Sequence, residues 1–268
     1  MELWSKSVAE NKTGLKIDDG VLVKCKIKDG VVTIPDNVKA VVSDAFDGCE
    51  YIRINRSPGF IRKKLEEGLI MAMEDLKDEN ENPDDSGTRY YPIYRVFGVE
   101  DKEVGSVLQT IIADVKVKGF REYIAVDADE LNEYRLEVIT AKIRNTISKE
   151  GYKILFLENL TPETADALPR NFINNLVKSQ SFNHLDLGIK CLVVLGIGNG
   201  TRLDEPGDVG SHFLIDYYKN LTPKAFMREM RLEGKVIEAV AETEKGSAQQ
   251  EAKTLTSEPE KYGGKEID

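Results

Sequence analysis

The chain has 268 residues, of which 37 are Lys or Arg and 47 Asp or Glu, giving a formal charge of −10 at pH 7. With that balance, and no Lys/Arg block that stands out, a nucleic-acid phosphate backbone is excluded as the expected partner. An apolar fraction of 41% with scattered aromatics belongs to a globular protein with a real core. The opening Met-Glu-Leu-Trp lacks the basic-then-apolar order of a signal peptide, and no apolar run approaches the length of a membrane span. Cys25, Cys49 and Cys191 form no CxxC pair, and each lies in or beside an apolar run, where a free thiol behaves as a small hydrophobe. A soluble, reduced, cytoplasmic protein is expected, with no membrane contact.

In chain order, Val21 to Lys28 and Val31 to Ile34 are β-rich runs joined by Asp29-Gly30, a pair suited to a tight turn, and so predict a hairpin. Then come Ile34-Pro35, Val38, Val41, Ala45-Phe46, Gly48-Cys49 and Ile52. This pattern, over residues 30 to 55, resembles one unit of the BspA-type leucine-rich repeat. Repeats of that kind need neighbours to bury their faces. A lone unit is therefore read as a repeat-like strand and turn packed against something else.

Ile61, Leu65, Leu69, Met73 and Leu76 recur at helical spacing between Phe60 and Leu76 and predict an amphipathic helix with an apolar core face. The acidic, polar stretch from Asp78, broken by Pro83 and Gly87, reads as a linker. From Tyr90 the rhythm changes to strand, helix, strand, helix, which is that of a mostly parallel sheet. Strands are predicted at Ile93–Phe97, Tyr123–Val126, Ile154–Leu157, Cys191–Leu195 and Phe213–Tyr217. Helices are expected after the first three of these and, from Thr222-Pro223, toward Leu232; Asp127 with Glu130 and Thr161 with Pro162 supply start signals. The division expected is a β-rich module over 1–58, a connecting helix over 59–77, an acidic linker over 78–89, an α/β domain over 90–235 and a disordered tail over 236–268.

The strand ending "ILFLEN" at Glu158-Asn159, the strand ending "VDADEL" and the strand "CLVVLGIGN" together resemble, over residues 90 to 225, the core of an AAA+ type P-loop ATPase. The resemblance implies an α/β fold: a mostly parallel five-stranded P-loop-like sheet flanked by helices, with the small β-rich module before it. It also implies roles. The "ILFLEN" strand corresponds to Walker B, which normally ends in Asp-Glu, one carboxylate for magnesium and one to polarise water. Asn199 corresponds to the sensor 1 polar residue.

The residues depart from that family where chemistry is needed. A phosphate loop requires glycines, free backbone N–H groups, a Lys and a Ser or Thr. Here the first strand-to-helix turn reads Gly98-Val-Glu-Asp-Lys-Glu-Val-Gly105-Ser106, with Lys102 among Glu100, Asp101 and Glu103. Carboxylates at a helix N-terminus satisfy its dipole and repel a triphosphate. Asn159 carries no proton acceptor and cannot act as a base. After Leu232 too few apolar residues remain for a helical lid.

Other chemistries find little footing. Gly196, Gly198 and Gly200 follow an apolar strand, but Thr201 stands where a dinucleotide fold needs a third glycine, so a flexible loop is read there. His184 and His212 lack partners at metal-ligand spacing, and Ser106, Ser179 and Ser181 lack the glycine-flanked elbow of a hydrolase. The leading expectation is a non-enzymatic protein-interaction or scaffold protein with no cofactor, a protein partner and possible homo-oligomers. The competing one is a divergent ATPase working as a ring, with ATP and magnesium held by Lys102, Ser106, Glu158 and Asn199. A third is a small-molecule binder at the Gly196 to Gly200 loop.

Overall fold

A computed structural model describes residues 14–82, 93–128, 151–161, 191–198 and 212–239. In chain order the first elements are β1 (Leu15–Asp18), β2 (Val21–Cys25), β3 (Asp29–Ile34), β4 (Ala40–Val42), β5 (Tyr51–Arg56) and α1 (Pro58–Glu81). They are followed by β6 (Ile93–Phe97), α2 (Asp101–Ala113), β7 (Phe120–Asp127), β8 (Tyr152–Glu158), β9 (Cys191–Ile197) and β10 (His212–Leu214). A 3-10 turn (Ile215–Tyr217), α3 (Pro223–Leu232) and β11 (Val236–Ile237) follow. The helices expected after the second and third strands of the sheet, and most of the linker and tail, lie outside the described residues.

These elements form two compact units. Among the described residues, one takes those up to Gly30, Asn37–Ile52 and those from Pro223; the other takes Val31–Asp36 and those from Arg53 to Thr222. From Pro223, α3 and β11 belong to the first unit.

In the first unit the sheet order is β1-β2-β4-β11. β1 and β2 are antiparallel across Asp19-Gly20, whose φ values of 46° and 78° are both positive, as the turn that matches strand twist requires. The hairpin expected at Asp29-Gly30 does not form: β3 pairs with β5 and not with β2. The two Asp-Gly pairs carry the same local turn signal, and the choice falls to what each flanking strand can bury. β3 offers Val32 and Ile34, which are buried, and β5 offers Ile52 and Ile54. β4 and β11 run parallel, and α3 buries Phe226 and Met230, with the Phe226 ring edge-on to Phe46 at 5.6 Å between centroids. Ile34, Val41, Ala45, Phe46, Cys49 and Ile52, the apolar positions of the repeat-like pattern, are all buried.

The second unit is a parallel α/β layer. Four strands lie in the order β6-β9-β8-β7, and the three-residue β10 pairs in parallel with the free side of β6. β8 and β9 are buried along almost their whole length, as continuous apolar strands of a sheet covered on both faces are. α1 and α2 cover one face, where Leu65, Leu69, Met73, Val104, Leu108 and Ile111 pack with Val96, Phe156 and Val194. Ser57 caps α1 by accepting from the Phe60 N–H at 3.1 Å, with Pro58 in the first turn. The helix continues to Glu81, so the first residues read as linker are its last turn. The expected strand at Phe213–Tyr217 gives way after Leu214 to the 3-10 turn.

Candidate functional site

In an open parallel sheet the ligand-accessible crevice lies outside the strand C-termini, where connections leave in opposite directions. Here β6 is that place: the chain passes from it through α2 to β7 at the far edge, while β10 returns to its other side. The C-terminal ends of β6, β9, β8 and β7 thus lie side by side.

Three residues, Gly98 to Glu100, separate β6 from α2. Gly98 has φ +72°, and a Cβ there would overlap the Ile215 side chain. Its N–H donates to the Ile197 carbonyl at 3.0 Å, and Val99 is buried. α2 then begins at Asp101.

Asp101 turns toward the strand ends. Its Oδ2 accepts the backbone N–H of Asn159 at 2.7 Å, while its Oδ1 is buried over Gly196 and has no hydrogen-bond partner among the described residues. A Cβ at Gly196 would overlap that oxygen, so a glycine is needed for the carboxylate to fit. Asn159 has φ 59°, a left-handed conformation that asparagine tolerates better than most residues, and its Nδ2 donates to Asp127 Oδ2 at 2.7 Å. Asp127 is the register partner of Glu158 across β7 and β8.

Asn159 therefore clamps two carboxylates, with the third, Glu158, beside them. Burial, then the nearby Asp101 and Asp127, raise the Glu158 carboxyl above its usual range. Burial also raises Asp101, with Asp127 adding to it, while the Asn159 N–H works in the opposite direction. Three backbone donors at this edge are occupied: Gly98 donates to Ile197, Asn159 to Asp101, and Leu160 to the Gly196 carbonyl at 3.1 Å. Among the described residues no group of three or more His, Cys, Asp or Glu side chains is arranged to hold a metal ion. The edge is acidic, self-bonded and rich in acceptors.

Glu158 is at the edge, and Asn199 lies outside the described residues. Lys102 is exposed on α2. Ser106 faces α1, where Arg62 Nη2 donates to its Oγ at 3.2 Å and Arg62 Nη1 pairs with Glu103 Oε1 at 2.6 Å. It is Gly105, one residue earlier, that faces Tyr123 and Phe156 of the sheet. Of the three carboxylates read as balancing the α2 dipole, Glu103 serves Arg62 and Asp101 serves Asn159, and Glu100 makes no side-chain cap. Asp101 and Asp127 were not picked out as site residues. A signal existed for the second: "VDADEL" and "ILFLEN" both end a buried run on a carboxylate.

Compared with known proteins, the chain matches no family model, and no curated protein matches it.

Proposed function

We propose that this chain is a non-enzymatic protein-interaction or scaffold protein, cytoplasmic, built on a catalytically degenerate AAA+-like domain. The observation that carries the reading is the knot of Asp101, Asp127, Glu158 and Asn159 where the resemblance calls for a phosphate loop and a water-polarising carboxylate. A triphosphate needs free N–H donors and cationic groups. This edge has three carboxylates and a connection of three residues. The residues do not fit ATP with magnesium, and Asn159 cannot take a proton from water. The α/β unit, read as built on a five-stranded P-loop-like sheet, would then serve for contact with a protein partner or with further copies of the chain.

The second reading, a divergent AAA+ ATPase, draws support from the strand order. With β9 between β6 and β8, the first strand-to-helix turn, the Glu158 strand end and the strand leading to Asn199 meet at one edge. Mass photometry of the purified chain with and without magnesium-ATP, repeated for Lys102→Ala and Glu158→Gln, separates the two. The scaffold reading expects assembly indifferent to nucleotide and to both substitutions. Nucleotide-dependent assembly lost in either variant would overturn it.

A further inference from the structure

We propose that Cys25 and Cys49 form a redox-sensitive pair whose thiols close to an intramolecular disulfide, tying the end of β2 to the turn before β5. Both belong to the first unit. Cys25 is the last residue of β2, and its N–H donates to the Ala45 carbonyl at 2.7 Å, which holds the strand end against the segment carrying Cys49. The Cys49 N–H in turn donates to the Phe46 carbonyl at 3.0 Å, closing a turn that passes through Gly48 at φ +79°. That turn sends the Cys49 side chain back to β2, where its S–H donates to the Cys25 carbonyl at 3.4 Å. The Cys25 thiol donates to the Ile27 carbonyl at 3.7 Å, and the Cys49 thiol is a neighbouring group that helps raise it. Two thiols 24 residues apart in sequence are thus pre-positioned for a bond between them. Cys191, on β9 in the other unit, bonds to its own strand's backbone and serves as an internal control.

The chemistry is thiol–disulfide exchange with a small-molecule disulfide such as oxidised glutathione. One cysteine sulfur attacks and displaces the first small thiol, leaving a mixed disulfide. The second cysteine sulfur then attacks the protein-side sulfur and displaces the second. Two protein thiols lose two electrons, the small disulfide gains them, and the two cysteine protons end on the two released small thiols. Both cysteines are buried, at 3% and 2% exposure, and burial pushes the Cys25 thiol up to about 11. Exchange at neutral pH is accordingly slow and proceeds as the Ala45 to Cys49 turn opens. The pair stays reduced under ordinary reducing conditions and responds to sustained oxidation.

The test equilibrates the full chain with mixtures of reduced and oxidised glutathione, in native buffer and in urea, followed by acid quench, alkylation and peptide mass mapping without reduction. The expected result is a Cys25–Cys49 linked peptide in the monomer, reversed by dithiothreitol, with Cys191 recovered as a thiol. Its equilibrium constant should be larger in the native than in the unfolded chain by at least about tenfold, the advantage of two pre-positioned groups. An equal or smaller constant in the native chain would overturn the proposal. So would native cysteines recovered as thiols, as glutathione adducts or in links between chains.

Discussion

The backbone N–H of Asn159 donates to Oδ2 of Asp101 at 2.7 Å, joining the end of β8 to the first residue of α2. The same residue's side-chain amide donates to Asp127, so one asparagine holds two carboxylates that would otherwise repel each other beside Glu158. An amide suits the position because it is neutral and supplies donors. Asn159→Asp keeps the backbone bond and tolerates the left-handed φ, but it sets a fourth carboxylate against Asp127. A loss of about 1–3 kcal/mol at neutral pH is expected. Urea unfolding of the two proteins measures it, and equal midpoints would mean the side-chain amide is merely solvated.

The raised Asp101 and Glu158 carboxyls give a signed pH dependence. Because the folded chain binds these protons more tightly than the unfolded chain, their contribution to stability is greatest in acid and is lost as pH rises through the carboxylate range and just above it. Glu158→Gln removes one such group. The variant is therefore expected to be the more stable protein near neutral pH, with the advantage shrinking toward about pH 4, where free carboxyls titrate. Urea midpoints across that range compare them; an advantage that grows toward acid would contradict the cluster's electrostatics.

Gly68 faces the Tyr94 hydroxyl from α1, and a Cβ there would overlap it. In an open helix interior, Gly→Ala stabilises by about 1 kcal/mol. At this position the sign should reverse, with Gly68→Ala costing about 1–3 kcal/mol, because the rigid ring of the buried Tyr94 must shift to make room. Tyr94→Phe removes the overlapping oxygen, so a double-mutant cycle should return part of that loss. Additive effects would show that α1 and β6 do not meet through this pair.

Lys153 is 4% exposed on β8 and bonds Glu122 Oε1 of β7 at 2.9 Å. A buried ion pair stabilises little against an apolar substitute, whereas removing one partner leaves a buried charge. Lys153→Met is expected within about 1 kcal/mol of the parent, and Glu122→Ala to be the less stable of the two variants, discounted for the half-exposure of Glu122. Thermal unfolding of both variants ranks them.

Much of the second unit was legible because its signals are local. Ile93–Phe97 stands out as an apolar run stopped by Gly98, and α2 as a stripe from Val104 to Ile112; both elements form at those places. The helix starting at Pro223 was equally plain. What local pattern could not decide was pairing. Asp19-Gly20 and Asp29-Gly30 look alike, and the hairpin forms only at the first. The same limit applies to the edge cluster. Asn159 could be read as a hydrogen-bonding strand end, but its partners lie 58 and 32 residues away, and no periodicity within one element identifies them. Ser106 was set beside Glu158 by a resemblance in linear order, whereas the helix turns it to Arg62.

Calorimetric titration of the purified chain with a non-hydrolysable magnesium-ATP analogue tests most directly whether this edge is closed to nucleotide. The carboxylate cluster leads to no heat of binding at up to about 1 mM analogue. Saturable binding at about 1 μM, weakened by Lys102→Ala, would contradict it and make this chain a divergent ATPase.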